Sequence, residues 1–129
     1  MTLDRLYTEV YRALNENLEL IDIVGENGVY DYTPDESVAG PYVVIGDFDV
    51  RPGRLLNSKE KEVTFSIHVW SSNYGRFETM DIGNVVDDGI QAIWGNVFYF
   101  ESFQIIHDVE QWVHGILTYK TYIEEEKIQ

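Results

Sequence analysis

From Val63 to Trp70 the chain alternates without a break. Val63, Phe65, Ile67 and Val69 are hydrocarbon, and between them stand Thr64, Ser66, His68 and Trp70. That is the period of a strand with two chemically different faces, and it predicts one strand over Lys61 to Ser72. A second alternation follows near the end of the chain. Val113, Gly115, Leu117, Tyr119, Thr121 and Ile123 define one face of a strand from Val113 to Glu124, and Trp112, His114, Ile116, Thr118, Lys120 and Tyr122 define the other. Further strands are predicted at Val29 to Tyr32, at Tyr42 to Val50 and near Val97 to His107. Thr33-Pro34-Asp35 stops the first, and Gly40-Pro41 precedes the second.

Two stretches repeat at helical spacing instead. Leu3, Leu6, Tyr7, Val10, Tyr11 and Leu14 recur at steps of three and four, with Thr2 placed to cap and Asp4 in the first turn, so a helix runs from about Leu3 to Asn15. Ile82, Val85, Val86, Ile90 and Ile93 form the inward stripe of the second helix, which Ser72 or Asn73 can cap and Gly95 can end. Gly83 and Gly89 inside it each cost about 1 kcal/mol relative to alanine, which points to close approach of a sheet. Leu18 to Val24 is apolar but short, and the turn residues Gly25-Glu26-Asn27-Gly28 close it.

The predicted order is α-β-β-β-α-β-β: an α+β fold in which two helices cover one face of a mainly antiparallel sheet. Arg51 to Glu60 forms a long hairpin loop, and residues 1–129 make a single domain with a solvated acidic end over 124–129. Two helices leave one sheet face uncovered. Trp70, Trp112, Ile116 and Tyr122 fall on it, more apolar surface than a monomer ordinarily leaves wet. Either this face meets another protein, as a candidate subunit interface, or long loops fold over it.

Composition narrows the classes. The hydrophobic fraction is 44%, with nine Tyr, six Phe and three Trp, so the chain has the apolar surface to fold. No apolar run approaches the roughly 20 residues that a bilayer requires, and Met1-Thr2-Leu3-Asp4-Arg5 lacks a basic, apolar leader. A soluble, non-exported protein with no membrane partner is expected. The chain has no cysteine, which excludes disulfides and thiolate metal sites. A formal net charge of −14 repels phosphate backbones. Against that background Arg51, Arg54, Lys59 and Lys61 gather in one segment whose only acid is Glu60. With Leu55 and Leu56 between them, they form a candidate docking loop for an acidic partner; the alternative is a solvated loop.

Motif-borne chemistry is sparse. Phosphate-binding glycine loops, helical histidine pairs and a Gly-x-Ser-x-Gly elbow are absent, and no cofactor is expected. The best constellation for a metal-dependent hydrolase is Asp47 with Asp49, together with His68 and His107-Asp108, since carboxylates of adjacent strands with a nearby imidazole can hold a hard cation. Acids on alternating surface positions of a strand are also ordinary. No metal ligand is therefore assigned.

An ordered set of strings resembles a family. Val29-Tyr30-Asp31 follows the opening helix; Pro41-Tyr42-Val43-Val44-Ile45 comes next, then Glu62-Val63-Thr64-Phe65-Ser66-Ile67-His68-Val69-Trp70-Ser71, then Gly75-Arg76 opening a helix, and finally His114-Gly115-Ile116-Leu117 with Tyr119. Together they resemble the tail-completion proteins of tailed bacteriophages and prophages, also called tail terminators or tail-to-head joining proteins. The connection from Asp108 to Trp112 departs from the pattern, lacking the Asp-Gly or Pro-Asp turn expected there. The resemblance implies a structural, non-catalytic virion protein, made in the host cytoplasm. It would form a ring, usually a hexamer, that caps the tail tube and joins it to the neck. Implied partners are other copies of itself, the tail tube protein and a head–tail connector or head-closure protein, with DNA passing through an acid-lined channel without specific binding. The basic loop would then point away from the channel, toward an acidic rim of tube or connector. Another neck component, such as a head-closure protein, is the alternative within this class.

Overall fold

The computed structural model describes residues 1–35, 37–56, 58–72, 75–107 and 112–124. Its elements in chain order are α1 (Leu3–Asn15), α2 (Leu18–Val24), β1 (Val29–Tyr30), β2 (Tyr42–Pro52), β3 (Glu60–Ser71), α3 (Phe77–Gln91), β4 (Tyr99–His107) and β5 (Val113–Glu124). The strands form one sheet in the order β1-β2-β3-β5-β4. Only the short β1 runs parallel to its neighbour. The fold is α+β, as the pattern of elements predicts.

The two alternating segments become the paired centre of the sheet. β3 and β5 are antiparallel in unbroken register from Glu60 opposite Glu124 to Ser71 opposite Val113. Their hydrocarbon positions all face the helices: Val63, Phe65, Ile67, Val69, Leu117, Tyr119 and Ile123 are buried, and Phe65 stacks on Phe48 and Tyr119 with centroids 5.0 and 5.6 Å away. From the helix side Leu6, Val10, Leu14, Ile82, Val86 and Ile90 complete the core with no exposed area. Burying such side chains stabilises by about 1.5–3 kcal/mol each, which fixes the register, because a slip of one residue would turn every one of them outward.

α1 has the predicted bounds, and the Thr2 hydroxyl accepts from the Arg5 N–H at 3.4 Å. α3 begins later than its capping signals suggest. Its N-cap is Arg76, which makes no side-chain cap bond, Ser72 lies outside the helix and Asn73 lies outside the described residues. Gly95 does stand in the left-handed region, φ 94°, three residues past the C-cap Ala92. α2 is a third helix beyond the two expected. Asn17 accepts from the Leu20 N–H at 3.2 Å to start it, and Gly25, φ 90°, ends it. Seven residues span too few turns for apolar spacing to separate a helix from a strand.

The interior glycines of α3 serve two different contacts. A Cβ at Gly83 would overlap the Phe103 ring of β4, so there the helix does press on the sheet. At Gly89 the close neighbour is Asn17 Nδ2, 3.0 Å from a built Cβ, so here the approach is to the α1–α2 junction. One buried hydroxyl on α3, Thr79 Oγ1, has no hydrogen-bond partner among the described residues.

Candidate functional site

The uncovered sheet face is built by the alternate residues of the same central strands. Register places Trp70 opposite His114, His68 opposite Ile116, Thr64 opposite Lys120 and Glu62 opposite Tyr122. These side chains are half-buried rather than open. They cover one another in two groups at opposite ends of the strands.

The first group is aromatic. Trp70 lies flat on His114 with centroids 3.8 Å apart and planes within 9°. Trp112 meets Trp70 at 6.3 Å and Tyr42 at 5.8 Å, and Tyr42 in turn meets Tyr30 edge-on at 5.7 Å. Beneath them runs a polar chain: Ser66 Oγ and His68 Nε2 are 3.0 Å apart, and His68 Nδ1 and His114 Nε2 are 2.7 Å apart. Burial pushes the His68 imidazole below its ordinary value, with Asp47 opposing. A Cβ at Gly46 would overlap Ser66 Oγ and lie 2.7 Å from His68 Nε2, so the bulge of β2 between Ile45 and Phe48 needs glycine to admit the chain. Asp31, Tyr32 and Thr33 stand at the rim of the resulting depression of about 370 Å³. The residues before β2 reach over this end too, since a Cβ at Gly40 would lie 2.8 Å from the Trp112 ring. Of the two expectations for this face, loop cover holds in part for Trp112.

The second group is charged. Lys120 Nζ lies 3.4 Å from Glu62 Oε1 and 3.2 Å from Glu101 Oε1, bridging β3, β5 and β4. Tyr122 contacts Tyr99 at 6.1 Å and carries the Arg54 guanidinium 3.9 Å from its ring centroid. The four residues expected to share an interface therefore do not form one patch. Trp70 and Trp112 pack together and Ile116 lies in the row beside His68, whereas Tyr122 sits ten residues along β5 from Trp112, about 33 Å in an extended strand.

The hairpin that joins β2 to β3 changes the reading of its cations. Arg51 Nε holds Asp49 Oδ2 at 2.8 Å. Arg54 donates to Glu60 three times, from its backbone N–H and Nε to Oε1 at 3.1 Å each and from Nη2 to Oε2 at 2.7 Å. The Arg54 bonds hold the Glu60 carboxyl down to about 2. Lys59 is exposed, and Lys61 is half-buried at the start of β3. What the tip offers is uncovered hydrocarbon: Leu55 is 71% and Leu56 95% exposed.

The metal constellation is not assembled. Asp49 is engaged with Arg51 and Asp47 lies beside the His68 depression. His107 ends β4, which β3 and β5 separate from β2, so about 14 Å of sheet lies between them. Asp108 lies outside the described residues, and among those described no group of three or more His, Asp or Glu is placed to hold an ion. Among the described residues no helix is long and apolar enough to cross a membrane. Sequence reasoning did not find Tyr30, Tyr42 or the Ser66–His68–His114 chain as a unit. The signal for the last is the register of β3 against β5, which alternation alone does not fix.

Comparison with known proteins agrees with this architecture. No curated protein sequence matches the chain. A chain of the virion of a native gene transfer agent particle superposes with a TM-score of 0.80 at 23% identity, over 93% of this chain and 95% of that one. The gp17 protein of bacteriophage SPP1 superposes with a TM-score of 0.55 at 27% identity, over 95% and 94% of the two chains. The first of these likenesses is one of fold. The family of tail completion protein gp17 matches residues 8–124, from the middle of α1 to the last residue of β5, and the chain belongs to that family of structural phage tail proteins.

Proposed function

We propose that this tail completion protein acts as a ring that caps the tail tube, joins it to the neck and surrounds the path of the DNA. The observation that carries the reading is the family match over residues 8–124, which takes in the second part of α1, all of α2 and α3, and all five strands. The ring is hexameric in the form that the resemblance implies. The role is mechanical, and the Ser66–His68–His114 chain serves to set the aromatic end of the outer face rather than to catalyse.

Physical features of the chain suit such a ring. A net charge of −14 makes a lumen that repels a phosphate backbone, so DNA gains no affinity from counterion release as it passes. Heterologous contacts between neighbours need two unlike surfaces, and the molecule offers several. The cluster of Trp70, Trp112 and Ile116 on the outer sheet face is one, with Tyr122 as a separate contact at the far end. The hairpin tip is another, an apolar knob that docks on a partner. In the finished virion the neighbours are the tail tube protein and a connector or head-closure protein.

Electron microscopy of tail tubes incubated with the purified protein, against tubes alone, tests the reading. A ring of density at one tube end is expected, and its symmetry gives the copy number. Bare ends at saturating protein would move the assignment to another neck component.

A further inference from the structure

The hairpin tip has a complement elsewhere on the same molecule. Leu55 and Leu56 follow a clamped hairpin base, where Arg54 grips Glu60 through three hydrogen bonds and the Gly53 N–H donates to the Glu60 carbonyl at 3.0 Å. Lys59, exposed, flanks them, and Arg51 further down the hairpin is paired with Asp49.

On the helix layer a depression of about 550 Å³ opens between α1, the start of α2 and the C-terminal end of α3. Its rim carries Glu9, Glu16, Glu19 and Asp88, and the cation among its lining residues, Arg12, is already turned to Glu16 at 3.7 Å. Small residues line it as well: Ala13, Ala92 and Gly89, the last held bare by Asn17, whose amide is anchored on the Val85 carbonyl at 3.1 Å. Trp94 stands beside them, 93% exposed. Small lining residues beside an aromatic and under an acidic rim suit a pair of branched aliphatic side chains flanked by a cation.

We infer that the hairpin tip of one copy docks in this depression on the next, with Leu55 and Leu56 against the small residues and Trp94, and Lys59 among the rim carboxylates. Charge complementarity within one chain selects a second copy as the occupant. Copies carrying a net charge of −14 repel, and the tip, whose one acid Glu60 is matched by Arg54 while Lys59 stays exposed, can approach the acidic rim of another. Knob and socket are unlike surfaces, one an extension of the sheet and the other a hollow in the helix layer. Their contact is heterologous and repeats from copy to copy until the rotation closes. The inference rests on the ring reading and names one of its contacts.

The absence of cysteine gives a clean background for the test. Leu56→Cys and Ala92→Cys, prepared separately, mixed and oxidised, report the contact between copies. The expected result is a disulfide-linked heterodimer at a yield at least about tenfold above that of Leu56→Cys mixed with Phe77→Cys, since docking raises the local concentration only at the depression. Glu16→Lys with Glu19→Lys in the Ala92→Cys copy should lower the yield, and Lys59→Glu in the Leu56→Cys copy should restore it. Equal yields for the two pairs overturn the inference. So does a double variant, Leu56→Cys with Ala92→Cys, that closes only within single copies. A Leu55→Asp, Leu56→Asp variant that still forms rings on tail ends would overturn it while leaving the ring reading intact. Bare tail ends with the unsubstituted protein would instead remove the ring reading, and the disulfide yield would still decide the contact.

Discussion

The two faces of β3 and β5 are made by the same backbone and differ in almost everything else. On the helix side the side chains are mostly hydrocarbon and sealed, with Phe65 stacked between Phe48 and Tyr119. On the other side each row is a different chemistry: an ion pair at Lys120, a hydroxyl–imidazole chain at Ser66, His68 and His114, and a stack of aromatics at Trp70. The first face determines whether the chain folds. The second, half-buried and varied along its length, suits recognition, because single rows can change without disturbing the core. Stability and assembly should therefore separate by face.

The sharpest way to break that division is at Phe65. Phe65→Ala should cost about 3–5 kcal/mol in denaturant unfolding, since it removes the centre of the stack and leaves a cavity; a loss below 1 kcal/mol would mean that the core is organised elsewhere. Gly83→Ala should cost less, about 1–3 kcal/mol, as the new methyl forces the Phe103 ring aside and outweighs the gain in helix propensity. Thr79→Val has the opposite sign. With its buried Oγ1 unpaired among the described residues, replacing the hydroxyl by a methyl should stabilise by about 1 kcal/mol, and a destabilised variant would show that the hydroxyl has a partner.

On the outer face Ile116→Ser should change the unfolding free energy by only about 0.5 kcal/mol while lowering occupancy of tail ends in micrographs. Full occupancy would remove this row from the interface. The smallest effect is a slope. Because burial lowers the His68 value, the folded protein refuses a proton that the unfolded chain accepts, so stability present above the ordinary histidine value of 6.5 should decline as pH falls below it. Denaturant midpoints taken on either side of that pH, with His68→Gln as the control, read it. An identical decline in the control would assign the slope to other groups.

Most of the fold was legible because its strongest signals are periodic. α1 and β5 begin and end where alternation and capping predict, and the two faces of β5 sort as their residue types require. Legibility failed where structure depends on partners distant in sequence. α2 is too short for its spacing to declare a helix, and α3 starts where Gly75-Arg76 predicts but without the cap that Ser72 or Asn73 offered. The outer face was predicted residue by residue but not as a pattern. Trp70 and Tyr122 sit on it as expected, yet only the pairing of β3 with β5 reveals that they belong to separate groups and that two histidines touch. The cations of the hairpin were visible as a run, and the pairing of Arg51 with Asp49 and of Arg54 with Glu60 was not, because it depends on how the hairpin folds back.

Folding during synthesis is constrained by the strand order. β5 lies between β3 and β4, yet it leaves the ribosome after both of them. Until it emerges, β4 has no neighbour in the sheet, and β3 exposes a complete unpaired edge beside a core that lacks Leu117 and Tyr119. The nascent chain is therefore most adhesive just before its last strand arrives, and contacts of such long range close slowly.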